Sequence, residues 1–154
     1  MFFLILSVLV FNLIAIFIPK RISAIEMLTT TLFSSLLEFV ANTIWDFKYD
    51  LYGYFNKGVD YAGFIYVLGI YPAVNIVFLN LFPFKRNLIC KVIYIICWSL
   101  FAIIFELLFL RTKTFYYNGW KLWYSIVLYP LLYVILICFY HYVHYLLKKR
   151  IEIE

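Results

Sequence analysis

Five apolar runs divide the chain, covering residues 2–18, 22–45, 61–82, 88–110 and 122–147. Each is close to the ~20 residues that an α-helix needs to cross a bilayer core. The breaks between them are short. Lys20 and Arg21 follow the first run, and the polar, aromatic stretch DFKYDLYGYFNKGVD covers 46–60. Pro83 ends the third run, and the basic turn Phe84-Lys85-Arg86-Asn87 leads into the fourth. RTKTFYYNGWK covers 111–121, and KKRIEIE closes the chain. The pattern predicts an all-α integral membrane bundle of about five transmembrane helices, formed by residues 1–154 as one domain.

Inside the second run the pattern changes. Thr31, Ser35, Glu38 and Asn42, continued by Asp46 just past the end of the run, recur at steps of three or four residues, which places them on one face of a helix. Polar groups at membrane depth are costly, so this face is expected to meet other helices or a water-filled cavity.

Composition supports the membrane reading. The 154 residues are 67% hydrophobic, 23% aromatic and only 14% charged, with a mean hydropathy of +0.97. A soluble domain of this size has too little interior for so much apolar surface. The net charge of +5 implies no nucleic-acid partner, because the basic residues flank the apolar runs, where they set orientation. With the amino terminus outside, eight basic residues fall on the cytoplasmic side: Lys20, Arg21, Lys85, Arg86, Lys91, Lys148, Lys149 and Arg150. Five fall outside: Lys48, Lys57, Arg111, Lys113 and Lys121. The bias predicts N-terminus out and C-terminus in. Met1-Phe2-Phe3-Leu4 has no positive region of the kind that opens a signal peptide, so the first run is expected to be a retained span.

Two carboxylates lie in the outer halves of runs. Glu38 is seven residues from Trp45, and Glu106 is four from Leu110. At ~1.5 Å per residue they lie roughly 10 and 6 Å below the outer helix ends. Arg111 and Lys113 follow Glu106 closely enough to reach either carboxylate by snorkelling. One reading is an outer-half polar site that binds a cation, a proton or a small polar ligand. The other is a pair of satisfied carboxyls that fix helix packing. Both stand at this point.

Tyr71-Pro72 and Tyr129-Pro130 remove the hydrogen bonds to the carbonyls of Leu68 and Ile126 and predict kinks. Asn75 and Asn80 are expected to bond between helices. Cys90, Cys97 and Cys138 form no CxxC and are read as buried structural thiols. His141 and His144 form an HxxH with no third ligand on the same helix; Glu152 and Glu154 in the tail are the only carboxylates near in sequence. They are read as interfacial histidines. No GxSxG, Walker A or HExxH occurs, so neither a cofactor nor a catalytic residue is expected.

Phe17-Ile18-Pro19-Lys20-Arg21, Tyr71-Pro72, Val77-Phe78-Leu79-Asn80-Leu81-Phe82-Pro83, Phe105-Glu106 and the Trp-rich start of the fifth run resemble a family of small multi-spanning membrane proteins, uncharacterised in activity and found mainly in spore-forming Gram-positive bacteria. The resemblance implies a single helical domain in the plasma membrane, brings Glu106 and Asn80 forward as characteristic polar positions, and implies no activity.

Three function classes remain. The first, and the leading one, is a non-enzymatic structural or accessory subunit acting through a membrane-protein partner or a second copy of itself. The second is a small transporter or channel using Glu38, Asn42 and Glu106, with Arg111 and Asn80 as further polar positions. The third is a membrane enzyme built on His141 and His144. The lipid bilayer is a partner in all three.

Overall fold

A computed structural model describes residues 2–55 and 63–151; the segment read as a loop up to residue 60 and the start of the third run lie partly outside them. Among the described residues the fold is all-α apart from one small sheet. Its helices are α1 (Phe2–Phe17), α2 (Ala24–Asn42), α3 (Tyr71–Leu81), α4 (Leu88–Arg111) and α5 (Leu122–Ile151). A π-helical turn, Thr43–Lys48, extends α2, and a second, Tyr66–Ile70, precedes α3. Among the described residues, three helices are long and apolar enough to cross a membrane: Ala24–Lys48, Leu88–Arg111 and Leu122–Arg150. Phe2–Phe17 and Tyr66–Leu81 are shorter apolar helices.

Local chemistry sets the helix ends. α1 stops before Pro19, whose ring disfavours helical backbone at the preceding residue. Ser23 caps α2 in a reciprocal box: its hydroxyl accepts from the Glu26 N–H, and the Glu26 carboxylate accepts from the Ser23 N–H at 2.7 Å. Asn87 caps α4 by accepting from the Cys90 N–H at 3.0 Å. Phe82, held extended by Pro83, ends α3. The third run is therefore broken. Pro72 falls in the first turn of α3, where its missing N–H costs least. The carbonyl of Gly69, in the π-turn before it, accepts from Asn12 of α1 at 2.8 Å. Gly69 also lets α1 approach closely, since a Cβ there would lie 3.0 Å from Val8 Cγ2.

Beyond the sequence expectation, the two segments that follow α2 and α4 pair with each other. β1 (Tyr52–Tyr54) and β2 (Phe115–Tyr117) form an antiparallel pair in the register Tyr52↔Tyr117, Gly53↔Tyr116, Tyr54↔Phe115. This sheet closes one end of the bundle. The opposite end collects the α1–α2 turn, the α3–α4 turn and the last turns of α5. There Asn80 Oδ1 accepts from the Arg21 N–H at 2.6 Å, Phe84 packs on Tyr140, and His144 Nδ1 meets Glu26 Oε1 at 2.6 Å.

The core has two parts. One lies towards the sheet, where Phe3, Phe11, Phe101, Phe105 and Phe109 interlock between α1 and α4. The other, at the far end, gathers Ile22, Phe78, Leu79, Phe82, Leu136 and Tyr140. Phe78 is fully buried and stacks on Tyr133 with centroids 4.4 Å apart.

Candidate functional site

α2 turns an apolar stripe outward. Leu28, Leu32 and Leu36 are each 60–62% exposed. The polar positions turn the other way. Asn42 and Asp46 are buried, and Thr31 Oγ1 accepts from Asn75 Nδ2 of α3 at 2.9 Å. Asn42 Oδ1 accepts from the Tyr52 hydroxyl of β1 at 2.8 Å. Glu38 is half-buried, and its Oε1 accepts from the Tyr54 hydroxyl at 3.3 Å. The Tyr71 hydroxyl of α3 is within reach of the same carboxylate.

Glu106 occupies the facing side, on α4, and is buried. Its Oε1 accepts from the Tyr117 hydroxyl and, at 2.7 Å, from Ser125 Oγ. Its Oε2 accepts from the Tyr129 hydroxyl at 2.8 Å. Trp120 Nε1 donates in turn to Ser125 Oγ at 2.8 Å. Three hydroxyls, from β2 and α5, thus converge on one carboxylate. Tyr129, which bonds Glu106, lines the same cavity as Glu38. Burial, reinforced by the neighbouring carboxylates, pushes the hydroxyls of Tyr52, Tyr54 and Tyr117 above the ordinary tyrosine range. All three stay protonated donors at neutral pH.

Glu38 and Glu106 line one cavity of about 250 Å³. A single water needs only ~15 Å³. The cavity lies between α2, α3, α4 and α5. Tyr52, Tyr54, Phe115 and Trp120 roof it, and Tyr133 and Leu136 form part of the wall towards the far end. Fourteen of its 27 described lining residues are aromatic, and none is Lys, Arg or His.

The remaining polar positions from the sequence lie elsewhere. Arg111 was expected above the carboxylates, but it is exposed and lines a surface depression with Ile104, Leu107, Leu108 and Leu110. The reason is rotational: hydroxyls of β2 and α5 take up both oxygens of Glu106, and the cation at the end of α4 stays on the outer face. Lys113 is exposed too. Asn80 is fully buried but far from the cavity. It accepts from the Arg21 and Ile22 N–H groups and donates to the Ile76 carbonyl, which fixes the α1–α2 turn against α3.

No protein-family model, curated protein or solved structure matches the chain. The reading of the site therefore stands on geometry.

Sequence reasoning missed the groups that complete the cluster. Tyr54, Tyr117, Ser125 and Tyr129 carry no spacing signal that ties them to a carboxylate on another element. It also missed Glu26 as the partner of His144, because 118 residues separate the two. His141 packs against Phe84 and Tyr140. Among the described residues, no group of three His, Cys, Asp or Glu side chains is placed to hold a metal. Cys90, Cys97 and Cys138 are exposed rather than buried, because the faces of α4 and α5 that carry them turn away from the bundle interior.

Proposed function

We propose that this chain is a multi-pass plasma-membrane protein, a member of the family it resembles, that crosses the bilayer five times with its amino terminus outside. We propose further that it acts as a small transporter or solute-binding protein through the cavity between Glu38 and Glu106. The observation that carries this reading is that carboxylates from two different helices line one cavity large enough for a solute. Ionisable groups inside a membrane bundle mark ion and solute pathways by default. The basic-residue bias supports the orientation and places the β1–β2 end outside. The reading assigns no chemistry to the protein, no catalytic residue and no cofactor.

A second reading has an observation of its own. Glu106 already accepts three hydroxyl hydrogen bonds, which is what a packing device needs. On that reading the chain is a structural or accessory subunit, docked on a partner or a second copy.

Thiol accessibility separates the two. In a chain lacking Cys90, Cys97 and Cys138, Ser34→Cys and Ala102→Cys place thiols on the cavity wall. Leu32→Cys and Ile104→Cys place them outward, at positions 61% and 55% exposed. A small neutral hydrophilic methanethiosulfonate is expected to label the cavity pair in intact membranes and spare the outward pair. Labelling of neither pair favours the structural reading.

A further inference from the structure

Resting on the solute-binding reading, the geometry points to a hydrophobic organic ammonium ion, with an N–H group and an aromatic or alkyl body, as the occupant of the cavity between Glu38 and Glu106.

Three features of the wall select this class. The first is charge. Two carboxylates face the space, and no Lys, Arg or His lines it among the described residues. An anion has nothing to pair with there, whereas a cation is attracted from both sides. The second is the rest of the wall. Trp45, Tyr71, Phe105, Trp120 and Tyr129 present ring surface around the acids, and a desolvated cation is attracted to an aromatic face. A bare metal ion is a poor fit, because hard cations take about six or more oxygen ligands and this wall is mostly carbon. An organic body replaces those ligands with apolar contact. The third is an acceptor without a donor. Asn75 is 3% exposed, lines the cavity, and spends its amide N–H groups on Thr30 and Thr31. Its Oδ1 has no hydrogen-bond partner among the described residues. A buried acceptor left unpaired is costly, and an ammonium N–H is a donor of the kind it lacks.

The packing sets a size limit. The ring stack of Phe33 on Phe139, with centroids 3.9 Å apart, and that of Phe78 on Tyr133 flank the end away from the sheet. The solute therefore sits between these rings and the sheet, its charge near the acids and its body against aromatic wall.

The test uses the full chain in lipid nanodiscs and reads tryptophan fluorescence, since Trp45 and Trp120 line the site. Phenethylammonium is the probe, and propylbenzene, which replaces the ammonium with a methyl, is the neutral isostere. The expected result is saturable quenching by phenethylammonium at least tenfold tighter than by propylbenzene. Glu38→Gln and Glu106→Gln should each weaken the ammonium at least tenfold and leave propylbenzene unchanged. Should Glu106→Gln fail to fold, Glu38→Gln carries the test, since Glu38 is less buried than Glu106 and an amide oxygen can still accept from Tyr54 and Tyr71. Equal affinity for probe and isostere, or unchanged affinity in a folded Gln variant, overturns the ammonium assignment. The failures are distinguishable. If Ser34→Cys and Ala102→Cys label but phenethylammonium does not quench, the cavity takes solutes of another class. If phenethylammonium binds but neither cysteine labels, the ligand class stands and the open pathway falls.

Discussion

Glu106 shows how a single carboxylate is held in an apolar interior. Its oxygens accept from Tyr117, Ser125 and Tyr129, so the cost of burial is offset by hydroxyl donors. Removing the acceptor costs more than neutralising it. In Glu106→Gln an amide oxygen still accepts, and the facing hydroxyls can turn to accept from the amide N–H. Glu106→Leu leaves three hydroxyls unpaired at ~1–3 kcal/mol each. Thermal unfolding should place Glu106→Gln within ~1 kcal/mol of the parent and Glu106→Leu several kcal/mol below it; equal losses would mean that the hydroxyl cage contributes nothing. Lys113 gives the opposite case. It adopts a left-handed backbone, φ 56°, just past the end of α4, a position that favours glycine. Lys113→Gly should raise stability by ~1 kcal/mol, the typical strain of a non-glycine residue there. A fall in stability would show that the lysine side chain holds something after all.

At the scale of elements, the sheet is the least expected part, and it builds the roof of the cavity. Three residue pairs hold it, and its centre depends on Gly53. A Cβ on Gly53 would lie 2.6 Å from Tyr116 Cζ on the paired strand, which real Cβ contacts do not tolerate. Gly53→Ala should therefore destabilise by ~1–3 kcal/mol, and the added change Tyr116→Ser should recover most of that loss. A double-mutant cycle on unfolding checks this; additive losses would mean that the strands are not in the stated register. The break in the third run belongs to the same scale. Proline alone predicts a kink. The π-turn Tyr66–Ile70 and the Asn12 amide on the Gly69 carbonyl are what make the break tolerable at depth.

At the scale of the molecule, the sheet constrains topology. β1 follows α2 and β2 follows α4, so both connecting segments lie at the same end. On the proposed orientation that end is outside. Tyr52→Cys with Tyr117→Cys, in a chain free of its three native cysteines, should form a disulfide on mild oxidation, because directly paired antiparallel residues fall within bridging distance. A membrane-impermeant reductant added outside should reverse it. Failure to cross-link would break the sheet, and protection from the reductant would invert the orientation. A reporter fused after Glu154 should then read as cytoplasmic, and one inserted within 111–121 as external.

By itself the sequence determined that the chain is helical and apolar enough for a membrane, though not where the third run breaks. Helical periodicity and span length are local properties, written in runs such as 88–110 and in the spacing of Thr31, Glu38 and Asn42. Pro83, which ends the third run, is equally local; the caps at Ser23 with Glu26 and at Asn87 act within a few residues too, but it is the structure that shows them. Only the tertiary structure decided which faces meet. That Glu38 and Glu106 share a cavity, that Tyr117, Ser125 and Tyr129 close on Glu106, that His144 finds Glu26, and that Arg111 turns outward all depend on the rotation of each helix about its axis. Rotation is set by the packing of rings such as Phe11 on Phe105 and Phe78 on Tyr133. In a chain this rich in apolar and aromatic residues, nearly every helix face is able to pack, so hydrophobic pattern alone leaves several rotations open. The few polar groups choose among them, because a buried donor or acceptor must find its partner in three dimensions.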